Sequence, residues 1–291
     1  MKFGEAYGSG RFGLSFEIFP PKTSAGEDAL FEAVGALVAF RPSFVTCTYG
    51  AGGSTREKTL ELTVAIRERF GVGTASHLTC VGSSHADLRA WLANAAAQRV
   101  ENIVALRGDP PRGESRFVPA DGGPAHAIEL VTLIRREFPR FGVAVAGYPE
   151  THQEAPSPEA DLAHLKRKVE AGADVVITQL FYDNRDFFAF SRRYREAGIR
   201  VPLVPGILPI INYSQIQRIT AMCAAKLPPT LVAALEAKRD DPEAEMGVGV
   251  AHAIRQGREL LEAGVPGLHF YVLNRATATT RILQGLRLPD R

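Results

Sequence analysis

Only three cysteines occur in 291 residues, Cys47, Cys80 and Cys223, and no CxxC pair is present. Neither a disulfide framework nor a zinc ribbon is supported. No run of about 18 apolar residues exists, so no membrane-spanning helix is expected. The N-terminal stretch MKFGEAYGSGRFG lacks the apolar core of a secretory signal, and a cytoplasmic location is expected. Neither sign of charge is in excess. The 34 Lys and Arg stand against 32 Asp and Glu, scattered rather than blocked, which makes no electrostatic case for nucleic acid. GxxxxGK[ST], HExxH and GxSxG are missing, and with them the signatures of nucleotide hydrolysis, zinc proteolysis and serine hydrolysis. Asn (5) and Gln (7) are scarce, and Arg outnumbers Lys 27 to 7. Heat adaptation and a GC-rich genome produce that bias alike.

What remains is ordinary globular composition, 45% hydrophobic and 23% charged. The chain can bury roughly three quarters of its unfolded surface without covalent staples. No low-complexity linker divides it, so one domain over residues 1–291 is expected, with residues 1–11 as a flexible arm. Gly8-x-Gly10-x-x-Gly13 starts in this arm and leads into the first strand instead of following it, so it lacks the context of a dinucleotide fingerprint.

One unit repeats along the chain: a short apolar run, a loop, then an amphipathic helix. The expected strands are Phe12–Phe19, Phe44–Thr48, Thr74–Thr79, Asn102–Leu106, Val143–Gly147, Asp174–Gln179, Val201–Ile207 and Gly267–Leu273. They read as buried parallel strands. Leu30, Val34, Leu37 and Val38 form one helical stripe, and Leu162, Leu165 and Val169 another. Ser24-x-x-Glu27, Ser54-x-x-Glu57 and Asn212-x-x-Gln215 read as capping boxes or close variants. Ser157-Pro158 and Asp241-Pro242 read as N-cap followed by proline. Eight strands alternating with helices over this length predict a (β/α)8 barrel. The segment Leu227–Asp241 stands out as an extra helix or excursion.

A barrel places its chemistry at the C-terminal ends of its strands. Those ends carry Glu17, Thr48, His77, Arg107-Gly108-Asp109, Tyr148 and His152, Gln179, and Asn274-Arg275. Glu17 lies in the apolar run Leu14–Phe19, where a carboxylate is costly unless paired or useful. Burial would raise its pKa and suit it to general acid catalysis, whereas an ion pair with a barrel arginine is the structural alternative. Asp109 reads equally as a turn cap, His77 as a satisfied core histidine, and Arg167 and Lys168 as a solvated helix face. Gln179 ends an apolar strand and needs partners. The Gly50-Ala51-Gly52-Gly53 loop suits a phosphate cradle or a tight turn alike.

Nine blocks together resemble methylenetetrahydrofolate reductase: FEIFPPK at 16–22, VTCTYGA at 45–51, HLTC at 77–80, ALRGDP at 105–110, AGYPETH at 146–152, LKRKVEAGAD at 165–174, ITQLFYD at 177–183, PGILP at 205–209 and HFYVLNR at 269–275. They follow the family's order from about residue 12 to about residue 285. The resemblance implies a flavin-containing (β/α)8 barrel with non-covalent FAD. NADH or NADPH is the implied electron donor and 5,10-methylenetetrahydrofolate the substrate, reduced to 5-methyltetrahydrofolate. By matched position it makes Glu17 the general acid and Asp109 the carboxylate beside the flavin. FAD contacts are implied at Thr48, Tyr49, Ala51, His77, Arg107, Gly108, Asp109, Tyr148, His152, Asp161, Arg167 and Lys168. Gln179, Gln215 and Arg275, with Glu17, are the implied contacts to folate or nicotinamide nucleotide. The match is weakest between Pro110 and Ile128, where Ala127 takes a flavin position. Ile219 stands where bacterial members carry an aromatic.

A homo-oligomer is expected. Longer relatives carry a C-terminal regulatory domain, so inhibition by S-adenosylmethionine is not expected. Two other classes compete. A barrel lyase or aldolase would want a lysine on a strand, and no expected strand contains one. A non-catalytic or partner-dependent flavin- or folate-binding subunit is opposed by Glu17.

Overall fold

Short apolar segments cannot leave their amides unpaired once buried, and here they pair with one another in a single sheet. A computed structural model describes residues 1–8, 10–48, 55–110, 113–114 and 116–289. The chain opens with helix α1 (Phe3–Tyr7). It then runs through β1 (Gly13–Ile18), α2 (Ser24–Val38), β2 (Phe44–Cys47), α3 (Arg56–Phe70), β3 (Gly73–Thr79), α4 (His85–Ala97), β4 (Asn102–Leu106), α5 (Ala127–Glu137), β5 (Gly142–Gly147) and α6 (Pro158–Glu170). The second half comprises β6 (Val175–Thr178), α7 (Asn184–Glu196), β7 (Leu203–Val204), β8 (Gly206–Ile207), α8 (Tyr213–Cys223), α9 (Pro229–Glu236), α10 (Pro242–Glu262), β9 (Gly267–Tyr271) and α11 (Thr277–Gly285).

The sheet order is β7-β6-β5-β4-β3-β2-β1-β9-β8, parallel throughout. β7 and β8 are two halves of one strand, split at Pro205. The first half pairs with β6 and the second with β9, which closes the ring as a (β/α)8 barrel. Proline has no N–H to give a ladder. Its carbonyl still accepts from the His269 amide at 3.0 Å, and the Gly206 amide donates to Thr178 Oγ1 at 2.9 Å. The eight expected segments coincide with these strands to within about two residues, the seventh being the split one.

The helices start where their caps place them. Asn212, Ser157 and Asp241 accept from the amides of Gln215, Ala160 and Ala244, with Pro158 and Pro242 opening their helices. At α2 the cap is Thr23, one residue before the expected Ser24, accepting from Gly26 N at 3.1 Å. Ser54 lies outside the described residues. The Leu227–Asp241 excursion contains α9.

Strand side chains alternate between two cores. Outward-facing Phe16, Ile18, Val45 and Val143 pack beneath the helices with Leu30, Val34 and Leu37. Inside the barrel lie Phe44, Ala75, Val104, Ala144, Val175 and Val204, joined there by Phe3, Ala6 and Tyr7 from α1. The expected arm is therefore, over Phe3–Tyr7, a plug at the N-terminal ends of the strands. Phe3 is fully buried, meets the Phe44 ring edge-on at 4.8 Å, and donates its amide to Asn102 Oδ1 at 3.0 Å. The five-residue helix is too short to hold itself together, and burial holds it instead. Phe3→Ala should cost about 3–5 kcal/mol in urea unfolding, the scale for an emptied aromatic core site. A loss below about 0.5 kcal/mol, typical of surface positions, would show that the plug contributes nothing.

Candidate active site

Period-two alternation that turns Phe16 and Ile18 outward turns Ser15 and Glu17 into the barrel. Glu17 lies opposite Thr46 on β2 and Tyr271 on β9, near the C-terminal rim. Its Oε2 stands 3.1 Å from His77 Nε2 on β3 and 3.5 Å from His269 Nε2 on β9. Thr46 Oγ1 donates to the same oxygen at 3.5 Å. The imidazole contacts have ion-pair distances without the alignment of a directed hydrogen bond, and His77 Nδ1 has no partner among the described residues. Burial alone would push the Glu17 carboxyl up. His77 and His269 outweigh it and hold the group at about 2. The expected raised pKa is thus overturned, and the partner is a pair of histidines instead of an arginine. The carboxylate keeps a 19% exposed path to the mouth, while His269 behind it is sealed.

Above Glu17 opens a cavity of about 650 Å³. It collects Glu17, Thr48, His77, Arg107, Gly108, Asp109, Ala127, Tyr148, His152, Asp161, Arg167, Lys168 and Gln179, residues drawn from six strands or the loops and helices after them. Gln215 and Arg275 do not line it. Gln215 sits in the first turn of α8, and Arg275 is exposed beyond β9. Tyr49 and Ala51, with the glycine loop, lie outside the described residues. Ile219, at the position expected to carry an aromatic, packs on a satellite apolar cluster with Leu208 and Ile216.

The wall near α6 is cationic. Lys168 Nζ donates to the Ala146 carbonyl at 2.8 Å. Burial, opposed by Asp161, lowers its pKa to about 8. Neither Lys168 nor Arg167 forms an ion pair among the described residues. Arg107 is engaged in a bidentate pair with Glu154 and lies 5.2 Å from the Phe117 ring. His152 packs edge-on against Tyr148 at 4.7 Å, takes the Glu154 amide on Nδ1, and is lowered in pKa chiefly by burial. Asp161 accepts the His152 amide at 3.0 Å. Gln179 turns its Oε1 back onto the Leu180 amide at 2.9 Å.

The rim is also where the backbone departs from the usual regions. Thr151, Leu273 and Asn274 have φ of 75°, 47° and 56°, a conformation that costs non-glycine residues free energy. Asn274 is held by two hydrogen bonds to the Phe19 backbone, 3.0 and 2.8 Å, which tie the ends of β1 and β9 together.

The family model for methylenetetrahydrofolate reductase matches residues 2–287. The chain belongs to the methylenetetrahydrofolate reductase family. It is 38% identical over 278 residues to 5,10-methylenetetrahydrofolate reductase of Escherichia coli, covering 95% of this chain and 91% of that one. It is 42% identical over 297 residues to methylenetetrahydrofolate reductase (NADH) 1 of Zea mays, covering 99% of this chain and 50% of that one. The chain thus spans about half the length of the plant relatives. The fold is shared with a Clostridium thermocellum protein described as binding two copies of 5-methyl-5,6,7,8-tetrahydrofolic acid, at a TM-score of 0.65 and 13% identity, over 94% of this chain and 93% of that one.

Several lining residues escaped the family match. His126, Glu154, Ala155, His164 and Tyr271 face the cavity, and His269 flanks Glu17. His269 and Tyr271 were findable, since their spacing of two puts both on the inner face of the strand beside Glu17. Glu154 and His164 carried no such signal. Among the described residues no group of three or more His, Cys, Asp or Glu is placed to hold a metal ion, and no helix is long and apolar enough to cross a membrane.

The depressed carboxyl has a consequence for acid stability. A lowered folded-state pKa adds stability that is complete above the ordinary value of 4.5 and is lost as pH falls towards 2. In a carbon-13 NMR titration of the protein without folate, Glu17 should stay ionised from pH 7 down to pH 4. A midpoint at or above about 6 would restore the reading of a carboxyl kept neutral by burial.

Proposed function

We propose that this protein reduces 5,10-methylenetetrahydrofolate to 5-methyltetrahydrofolate, with NADH or NADPH as donor and non-covalent FAD as cofactor. One observation carries this: a carboxylate set between two buried imidazoles at the floor of a large, mixed-polarity barrel mouth. Family membership supports it, and the names of the plant relatives favour NADH.

The residues present suit a flavin dinucleotide. A half-buried ammonium at Lys168 with no anionic partner in contact, next to Arg167, is the donor set a pyrophosphate needs. Lys168, Arg167, His152 and Asp161 would hold the dinucleotide, with Arg107, Gly108, Asp109, Ala127, Tyr148, Thr48 and His77 towards its ring. FAD, when bound, supplies the acceptance of hydride from the nicotinamide and its delivery to the folate.

Proton movement belongs to the chain's own residues. Glu17 is the outermost member of its cluster, so a proton leaving the cluster for the cavity leaves through its carboxyl. That proton goes to the imidazolidine nitrogen of the folate. The ring C–N bond opens to an iminium, and the carbon accepts the hydride. His77 and His269 replenish Glu17 from behind. Asp109, exposed at the mouth, places negative charge near the ring, which disfavours added electron density and strengthens the hydride donor. Gln179 both donates and accepts, so one side chain serves the nicotinamide and the pterin in turn.

Glu17→Gln should retain FAD and be bleached by NADH at the wild-type rate. Its reoxidation by methylenetetrahydrofolate should slow about 100- to 10,000-fold, the range for a lost general acid. Unaltered reoxidation in stopped flow would remove Glu17 from the reaction. Asp109→Asn should raise the flavin potential and slow hydride delivery. A spectroelectrochemical titration returning an unchanged or lower potential would refute that role. With one mouth serving both substrates, initial rates over a grid of donor and folate concentrations should give parallel double-reciprocal lines. Intersecting lines would demand a ternary complex instead.

A further inference from the structure

Tyr7 belongs to the plug helix at the opposite end of the barrel from the cavity, yet two hydrogen bonds and one polar contact lead from it to Glu17. Its ring stands in a slot made by two missing side chains. A β-carbon on Gly13 would lie 2.4 Å from the Tyr7 ring, and one on Gly267 would lie 2.5 Å from it. These glycines are register partners at the first positions of β1 and β9. The slot lets the phenol reach up inside the barrel, with the Phe44 ring edge-on at 5.5 Å.

The Tyr7 hydroxyl is 2.7 Å from Ser15 Oγ, and Ser15 Oγ is 2.7 Å from His269 Nδ1. His269 Nε2 then faces Glu17 at 3.5 Å. Tyr7, Ser15 and His269 are 3%, 0% and 0% exposed, so this chain is sealed from solvent along its length. Its direction follows from counting protons. Burial pushes the Tyr7 hydroxyl up, so it keeps its proton. Ser15 is its only hydrogen-bond partner among the described residues. Were Ser15 to donate to Tyr7, the phenol proton would be buried without an acceptor, which costs on the order of 1–3 kcal/mol. Tyr7 therefore donates to Ser15, and Ser15 donates to His269 Nδ1. The ring proton of a neutral His269 is then on Nε2. The reverse order would also aim a nitrogen lone pair at a carboxylate.

We propose that Tyr7 is a positioning residue for the reaction, fixing His269 through Ser15 as the Nε2–H tautomer so that Glu17 faces a donor. The plug helix is then part of the apparatus that moves the proton, although it touches no substrate. The proposal rests on Glu17 serving the folate step, and its test separates the two.

The measurement is nitrogen-15 NMR of histidine-labelled holoenzyme, for the wild type, Tyr7→Phe and Ser15→Ala, alongside stopped-flow rates of both half-reactions. Wild-type His269 should show a proton on Nε2 and an unprotonated Nδ1. Tyr7→Phe frees the Ser15 hydroxyl to turn and accept, so both tautomers should appear. Folate-dependent reoxidation should slow about tenfold, the lower end for a lost partner that orients a histidine. Reduction by NADH should stay within about twofold. Ser15→Ala, which leaves the plug ring in place, should do the same, and the double variant should be no slower than the worse single one because both act on one chain. A wild-type Nδ1–H tautomer, an unchanged tautomer in both variants, or equal slowing of the two half-reactions would overturn the proposal. Should the tautomer shift as expected while Glu17→Gln reduces folate normally, the relay stands and the role of Glu17 fails.

Discussion

A carboxylate inside an apolar barrel must be compensated or neutralised, and much of this site follows from how Glu17 is compensated. The strand that carries it faces apolar neighbours on its outer side, where Phe16 and Ile18 meet the helices. On the inner side β3 and β9 bring imidazoles to it, and β2 brings a hydroxyl. The compensation comes from imidazoles and a hydroxyl instead of a guanidinium. An arginine there would hold the carboxylate charged at any working pH. Two imidazoles instead set two ring nitrogens within 3.5 Å of one carboxylate oxygen.

The remainder of the mouth carries charges of both signs, with Asp161 beside the cations of α6. Cations cluster on the α6 side at Arg167 and Lys168, and the acids Asp109 and Glu154 sit with Arg107 after β4 and β5. Glu17 stands at the floor between these walls. Basic side chains therefore stand on one flank of the cavity, with the carboxylate at its floor. Parallel closure of the sheet delivers this arrangement, because every strand ends on the same rim.

Much of this architecture was legible in residue order. Eight apolar segments bounded by glycine or proline became the eight barrel strands, and Asn212, Ser157 and Asp241 cap as their spacing implied. The plug was not legible. Phe3, Ala6 and Tyr7 share a helical face, but five residues lack the length that makes periodicity persuasive, and the helix exists only because the barrel floor receives it. The electrostatics of Glu17 are hidden in the sequence for a related reason. Burial was visible in the run Leu14–Phe19, whereas His269 is 252 positions further along the chain. Alternation along β9 would have placed it beside Glu17, had pairing with β1 been assumed. The family match drew thirteen residues to one cavity, while Gln215 and Arg275 stand off its lining.

The split at Pro205 gives the ring unequal seams. Next to Glu17, β1 and β9 are joined over five register pairs and their ends are clamped by Asn274 on Phe19. The seventh strand meets each neighbour over only two register pairs. Local opening follows the weakest ladder, so amide exchange in the native protein should be fastest along Leu203–Ile207 and slowest along Gly13–Ile18. The barrel then breathes through the wall below Gln179 and keeps the β1–β9 wall that carries Glu17 shut. Opening at the seventh strand need not disturb the contacts around Glu17.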